Sequence, residues 1–227
     1  MKTADCSTTL PKLAPPLRLR INLPNQITIL RLILSVIFFV CLAQFNARTP
    51  HYSLLDWAYV LFLVAALTDI LDGYLARKYK QITSFGRIID PVVDKVLVMG
   101  AYAFLAGEGF VSASGAKLSD VSAWMLVVIL GRELLVTSLR GVSEASGKSF
   151  GANIYGKMKM LLQSTTVVWV LATVAHPVAA DSGPLWRFLT ACRPVLVYLT
   201  VIVTFLSMIP YLWSARGVLS QTSASPS

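Results

Sequence analysis

Long apolar runs separated by short polar stretches dominate the chain. A bilayer-spanning helix needs roughly 20 mostly apolar residues. Six segments meet that length: Ile27–Phe45, Leu54–Ala76, Ile88–Ala106, Val121–Leu139, Ile154–Val174 and Phe188–Trp213. Residues 1–20 form a polar, basic, Pro-containing tail with no apolar run that would make a cleavable signal. Residues 21–216 read as one six-helix domain, and 217–227 as a disordered tail. Leu17–Leu23 alternates apolar and basic residues ahead of Pro24. It reads either as a short amphipathic helix lying at the interface or as part of a disordered basic tail. The pattern predicts an all-α integral membrane protein with six transmembrane helices and no internal repeat.

Composition agrees. Of 227 residues, 56% are hydrophobic and 14% charged, where a soluble domain has about 45–50% and about 25%. Mean hydropathy is +0.67. The net charge of +9 would raise nucleic-acid binding for a soluble chain. Here the basic residues fall between apolar runs, where they set orientation and attract anionic lipid or phosphate, so no nucleic acid is expected. Lys2, Lys12, Arg18 and Arg20 precede the first segment. Arg77, Lys78, Lys80 and Arg87 lie between the second and third, Arg140 and Lys148 between the fourth and fifth, and Arg216 after the sixth. The opposite loops carry only Arg48, Lys117 and Arg187. Alternation of this kind predicts a multi-pass protein of the cytoplasmic (inner) membrane with both termini in the cytoplasm. Cys6, Cys41 and Cys192 are odd in number, and two lie in apolar runs, which argues against a disulfide framework.

Charges inside apolar runs are expensive and usually functional. Of only 11 acidic residues, Asp69, Asp72, Asp90 and Asp94 flank a single basic loop, and Glu133 lies in the fourth segment beside Arg132. Spacings of three and four residues put each aspartate pair on one helix face. A short loop makes the two helices antiparallel neighbours, so four carboxylates converge near one membrane face. They cannot all stay ionised without protons or bound cations. Oxygen-only ligands suit Mg²⁺, Mn²⁺ or Ca²⁺, and clustered carboxylates bridging two such ions are a frame for phosphate chemistry. The competing account is a set of structural salt bridges with Arg77, Lys95 or Arg132. Gly73, Ala76 and Gly86 keep the same region small, either for close ligand approach or for close helix packing in lipid. Pro91 lacks an N–H and releases the carbonyl of Arg87 from its helical partner.

Together these residues read Asp69-x-x-Asp72-Gly73-x-x-Ala76-Arg77, eight residues, then Gly86-x-x-x-Asp90-x-x-x-Asp94. This resembles the signature of the CDP-alcohol phosphatidyltransferase family at every fixed position. The resemblance implies a six-helix bundle, generally a homodimer, that moves a phosphatidyl group from CDP-diacylglycerol to an alcohol. It implies Mg²⁺ or Mn²⁺, two ions, held by Asp69, Asp72, Asp90 and Asp94, with Asp94 as general base. It also implies a CDP site formed by Asp69, Asp72, Gly73, Ala76, Arg77 and Gly86. Asn22-Leu23-Pro24-Asn25-x-x-Thr28-x-x-Arg31, Gly131-Arg132-Glu133 with Arg140, Gly156-Lys157-x-Lys159 with Gln163, and Tyr211-Leu212-x-Ser214-Ala215-Arg216 are similar to a subgroup whose acceptor is glycerol 3-phosphate. Met160 departs from that subgroup, where a small polar residue is expected.

A glycerol 3-phosphate acceptor brings a dianion. Arg132, Arg140, Lys157, Lys159 and Arg31 are the candidate cations for it, since Arg pairs bidentately with phosphate and Lys serves as a point charge. Snorkelling to the interface, or simple neutralisation of Glu133 by Arg132, is the structural alternative. The nearest rival function is the same chemistry with phosphatidylglycerol as acceptor, which makes cardiolipin. A divalent-cation or proton-coupled transporter is more remote, because the acidic residues gather at one face and not at the midplane.

Overall fold

The computed structural model describes residues 23–79, 84–145, 154–178 and 183–213. The predicted tails, and the Leu17–Leu23 stretch apart from Leu23, lie outside the described residues. The described chain is all-helical, with α1 (Leu23–Gln44), α2 (Tyr52–Tyr79), α3 (Ser84–Ala106), α4 (Ala123–Ala145), α5 (Ile154–Ala175) and α6 (Pro184–Leu206). Each overlaps one predicted apolar segment. The sixth segment reaches Trp213 as expected, with a turn at Ser207–Met208 before its last helical turn. Pro210 is the physical reason. It has no N–H for the carbonyl of Leu206, and its ring crowds that carbonyl.

Three stretches are long and apolar enough to cross a membrane by length and composition: Gln26–Gln44, Met158–Ala175 and Pro184–Trp213. A shorter apolar stretch covers Tyr52–Thr68 in α2. Charged residues such as Lys95 in α3 and Arg132, Glu133 and Arg140 in α4 dilute the apolar character of the other helices. The outer surface is apolar too. α1 exposes Ile29, Leu32, Ile33 and Val36, and α6 exposes Phe188, Val195, Leu199 and Ile202. Apolar outer faces of this kind suit lipid and not water.

The helices close a ring. α1 packs on α2, α2 on α5, α5 on α6, α6 on α4, α4 on α3 and α3 on α1, and α3 also meets α5 across the middle. Phe38 of α1, Phe45 just past its end, Phe62 of α2, Tyr102 of α3, Ile129 of α4 and Leu171 of α5 fill the core. α1 and α3 approach so closely at Gly100 that an added Cβ would stand 2.4 Å from Cζ of Phe39. A polar seam runs inside the ring, where Thr166 and Thr200 share a 2.7 Å hydrogen bond between α5 and α6. Gln163 Nε2 donates to Thr204 Oγ1 at 3.0 Å along the same seam. At one end of the bundle, Arg193 Nε donates to Asp120 Oδ2 at 2.6 Å, fastening α6 to the start of α4. The chemistry-bearing residues lie toward the other end.

Candidate active site

α2 ends at Tyr79 and α3 begins at Ser84, so the four aspartates sit on the two helix stretches that flank this connection. Asp72 is seven residues from the end of α2, and Asp90 is six from the start of α3. At 1.5 Å per residue both lie about 10 Å from their helix ends. Asp69 and Asp94 are each ten residues in, or about 15 Å. The backbone thus sets the aspartates in two pairs at matched depths. Pro91 falls within α3, which continues through it. The side chains of Asp69, Asp72, Gly73, Ala76, Arg77, Gly86, Asp90 and Lys157 lie outside the described residues. Asp94 is described, is half-buried, and lines a cleft of about 40 Å³ with Lys95, Glu133, Lys159 and Gln163.

Across that cleft stands Glu133, which joins three cations from three helices. Arg132 Nη1 of α4 donates to its Oε2 at 3.2 Å, and Lys159 Nζ of α5 contacts the same oxygen. Lys95 Nζ of α3 lies 3.7 Å from Oε1 and donates to Thr137 Oγ1 at 2.7 Å. The side chains of Arg132 and Lys159 are only 5% and 3% exposed, and that of Lys95 is 38%. Two of the cations first considered as neutralisers of the aspartates, Lys95 and Arg132, therefore engage Glu133. Buried ion pairs of this kind offset their desolvation only when further hydrogen bonds complete them. Ser207 supplies one, accepting from Arg132 Nε at 3.0 Å.

Of the predicted phosphate-binding cations, Arg132 and Lys159 are brought together at Glu133. Arg140 lies one step away: its Nη2 is 3.5 Å from the hydroxyl of Tyr211, whose ring centroid is 5.7 Å from Arg132 Cζ. Arg31 is fully buried on α1, which packs on α2 and α3, the helices that carry the aspartates. The sequence points to Lys95 only as an alternative salt-bridge partner of the aspartates and to Tyr211 only within the closing motif, although Lys95 is also one more charge inside an apolar run. Ser207 carries no signal in the sequence.

The donor chemistry fits divalent cations. Four carboxylates on two helix stretches at paired depths are an all-oxygen set, suited to Mg²⁺ or Mn²⁺.

Apolar outer faces around an inner cleft lined by charged side chains are those of a membrane protein. The chain belongs to the CDP-alcohol phosphatidyltransferase family, whose model matches residues 21–207. It is 35% identical over 166 residues to the CDP-diacylglycerol–glycerol-3-phosphate 3-phosphatidyltransferase of Bacillus subtilis, covering 68% of this chain and 77% of that protein. The Haemophilus influenzae protein of the same name is 30% identical over 209 residues, covering 88% and 97%. That of Salmonella typhimurium is 29% identical over 210 residues, covering 88% and 98%.

Proposed function

We propose that the chain transfers the phosphatidyl group of CDP-diacylglycerol to glycerol 3-phosphate, releasing CMP and forming phosphatidylglycerophosphate. The names of its relatives support this reading. The observation that carries it is the cleft lined by Asp94, Lys95, Glu133 and Lys159, where Glu133 also pairs with Arg132, so that a reacting carboxylate stands beside a cluster of cations. Residues 21–216 form the catalytic domain, with six spans, both termini and the active site on the cytoplasmic side, in a homodimer. The apolar exterior and the alternation of basic loops support that topology.

In this reading the donor's acyl chains stay in lipid while its CDP head reaches α2 and α3. Asp69, Asp72, Gly73, Ala76, Arg77 and Gly86 receive the CDP portion. Asp69, Asp72, Asp90 and Asp94 would hold two Mg²⁺ or Mn²⁺ ions, which when bound neutralise charge on the pyrophosphate and the departing CMP. Arg132, Arg140, Lys157 and Lys159, with Arg31, hold the acceptor's phosphate. Asp94 takes the proton of the acceptor hydroxyl as its oxygen attacks the phosphorus nearer the diacylglycerol, and the bond to CMP breaks. Positioning and electrostatic stabilisation do most of the catalysis.

The test is an acceptor panel. The purified chain, with labelled CDP-diacylglycerol and Mg²⁺ or Mn²⁺, is offered glycerol 3-phosphate, phosphatidylglycerol, inositol phosphate and serine side by side. Glycerol 3-phosphate should give the labelled lipid and CMP. Product from phosphatidylglycerol alone would reassign the chain to cardiolipin synthesis, and metal uptake by proteoliposomes without any transfer would make it a transporter.

A further inference from the structure

A carboxylate in the middle of an anion site needs a reason. By Coulomb's law Glu133 opposes any phosphate that enters the cleft it lines. Yet its two oxygens are where three helices meet: Arg132 of α4 and Lys159 of α5 on Oε2, and Lys95 of α3 facing Oε1 at 3.7 Å. Arg132 and Lys159 are almost fully buried. Without a shared counter-charge these cations would repel one another and turn away from the cleft. Three cations around one carboxylate leave the Glu133 cluster net positive, which favours a phosphate monoester carrying about −1.5 to −2 near pH 7.

We infer that Glu133 is a positioning residue for the acceptor's phosphate, gathering Lys95, Lys159 and Arg132, the first two at the wall of the cleft that Asp94 also lines, and that Lys95 is a direct phosphate ligand. The inference rests on the acceptor reading given above. Lys95 is the most exposed of the three cations, and its distance to Glu133 is beyond a hydrogen bond. It is the cation most easily transferred from carboxylate to incoming phosphate. The cleft has room for about three water molecules, which the phosphate displaces.

The experiment is steady-state kinetics of the full chain in detergent micelles, with glycerol 3-phosphate and CDP-diacylglycerol varied in turn. Glu133→Gln should raise KM for glycerol 3-phosphate about tenfold or more while KM for CDP-diacylglycerol stays within about twofold. Glu133→Asp, which keeps the charge, should recover part of the loss. Lys95→Met should raise the same KM about fivefold, again without effect on the donor. A folded Glu133→Gln enzyme with an unchanged KM for glycerol 3-phosphate overturns the inference. So does a loss shared equally by both substrates, which is what a merely structural ion cluster would give. If Glu133→Gln does not fold, Lys95→Met decides by the same criterion. Failure of the parent reading looks different: the unaltered enzyme would make no product from glycerol 3-phosphate.

Discussion

Arg132 and Ser207 bind each other across the bundle, Nε donating to Oγ at 3.0 Å, so the middle of α4 is tied to the turn that ends α6. Ser207 donates in turn to the carbonyl of Thr204 at 2.7 Å, which leaves its oxygen lone pairs toward the guanidinium. Four residues on, Tyr211 faces Arg132 with its ring and Arg140 with its hydroxyl.

Truncating Tyr211 should therefore weaken acceptor binding without touching the donor. A cation–π contact is worth about 0.5–2 kcal/mol, and the long hydroxyl contact to Arg140 adds less. Tyr211→Leu should raise KM for glycerol 3-phosphate by roughly two- to thirtyfold. Tyr211→Phe, which keeps the ring, should lose only a small part. Equal losses in the two variants would show that the ring contributes nothing.

Asp94 gives the sharpest chemical prediction. Removing a general base lowers the rate by about 10²–10⁴. Asp94→Asn should lose kcat on that scale while the protein keeps its thermal stability in detergent. Treatment with EDTA should abolish turnover of the unaltered enzyme, and Mg²⁺ or Mn²⁺ should restore it. Full activity of Asp94→Asn would remove Asp94 as the base, and full activity in EDTA would remove the metal ions from the mechanism.

The apolar pattern made the helices legible, because in lipid a helix must be long and apolar enough to satisfy its backbone internally. Every predicted segment has a helix, and α5 begins at Ile154 as expected. The sixth span runs to Trp213 as its apolar length indicates, while the turn at Ser207–Met208 inside it is signalled only by Pro210. The role of Glu133 was hidden for another reason. Its neighbour Arg132 is adjacent in sequence, but Lys95 and Lys159 reach it only when three helices are packed. The turn after α3 was equally invisible: Val111 bridges Lys117, closed by Gly115 at a φ of +81. The aspartate spacings were legible because helix periodicity converts sequence separation into a shared face.

Gly109 tests the packing at the far end from the candidate site. A Cβ there would stand 2.8 Å from the carbonyl oxygen of Phe45, and backbone cannot move aside as a side-chain tip can. The same segment is held by Ala47 N donating to the carbonyl of Gly109 at 2.8 Å. Gly109→Ala should destabilise by about 1–3 kcal/mol, the usual range for overpacking. A lowered Tm in detergent with kcat unchanged in the folded fraction is the expected result. An unchanged Tm would mean that the loop between α1 and α2 relaxes freely.

The Thr166–Thr200 hydrogen bond measures what a buried polar contact contributes inside this bundle. Its 2.7 Å geometry is close, and each threonine also donates or shares with its own helix, Thr166 with the carbonyl of Leu162 and Thr200 with that of Leu196, both at 2.8 Å. Valine at either position preserves shape and removes the hydroxyl, but the remaining threonine still satisfies itself on its own backbone. Coupling should therefore be small, near the average of about 0.6 kcal/mol measured between helices in a membrane protein. A double-mutant cycle of Thr166→Val and Thr200→Val, read by unfolding in mixed detergent, isolates that pairwise quantity. A coupling above about 2 kcal/mol would exceed the range seen for such bonds in lipid, and would make this contact, and not the apolar packing around it, the main joint between α5 and α6.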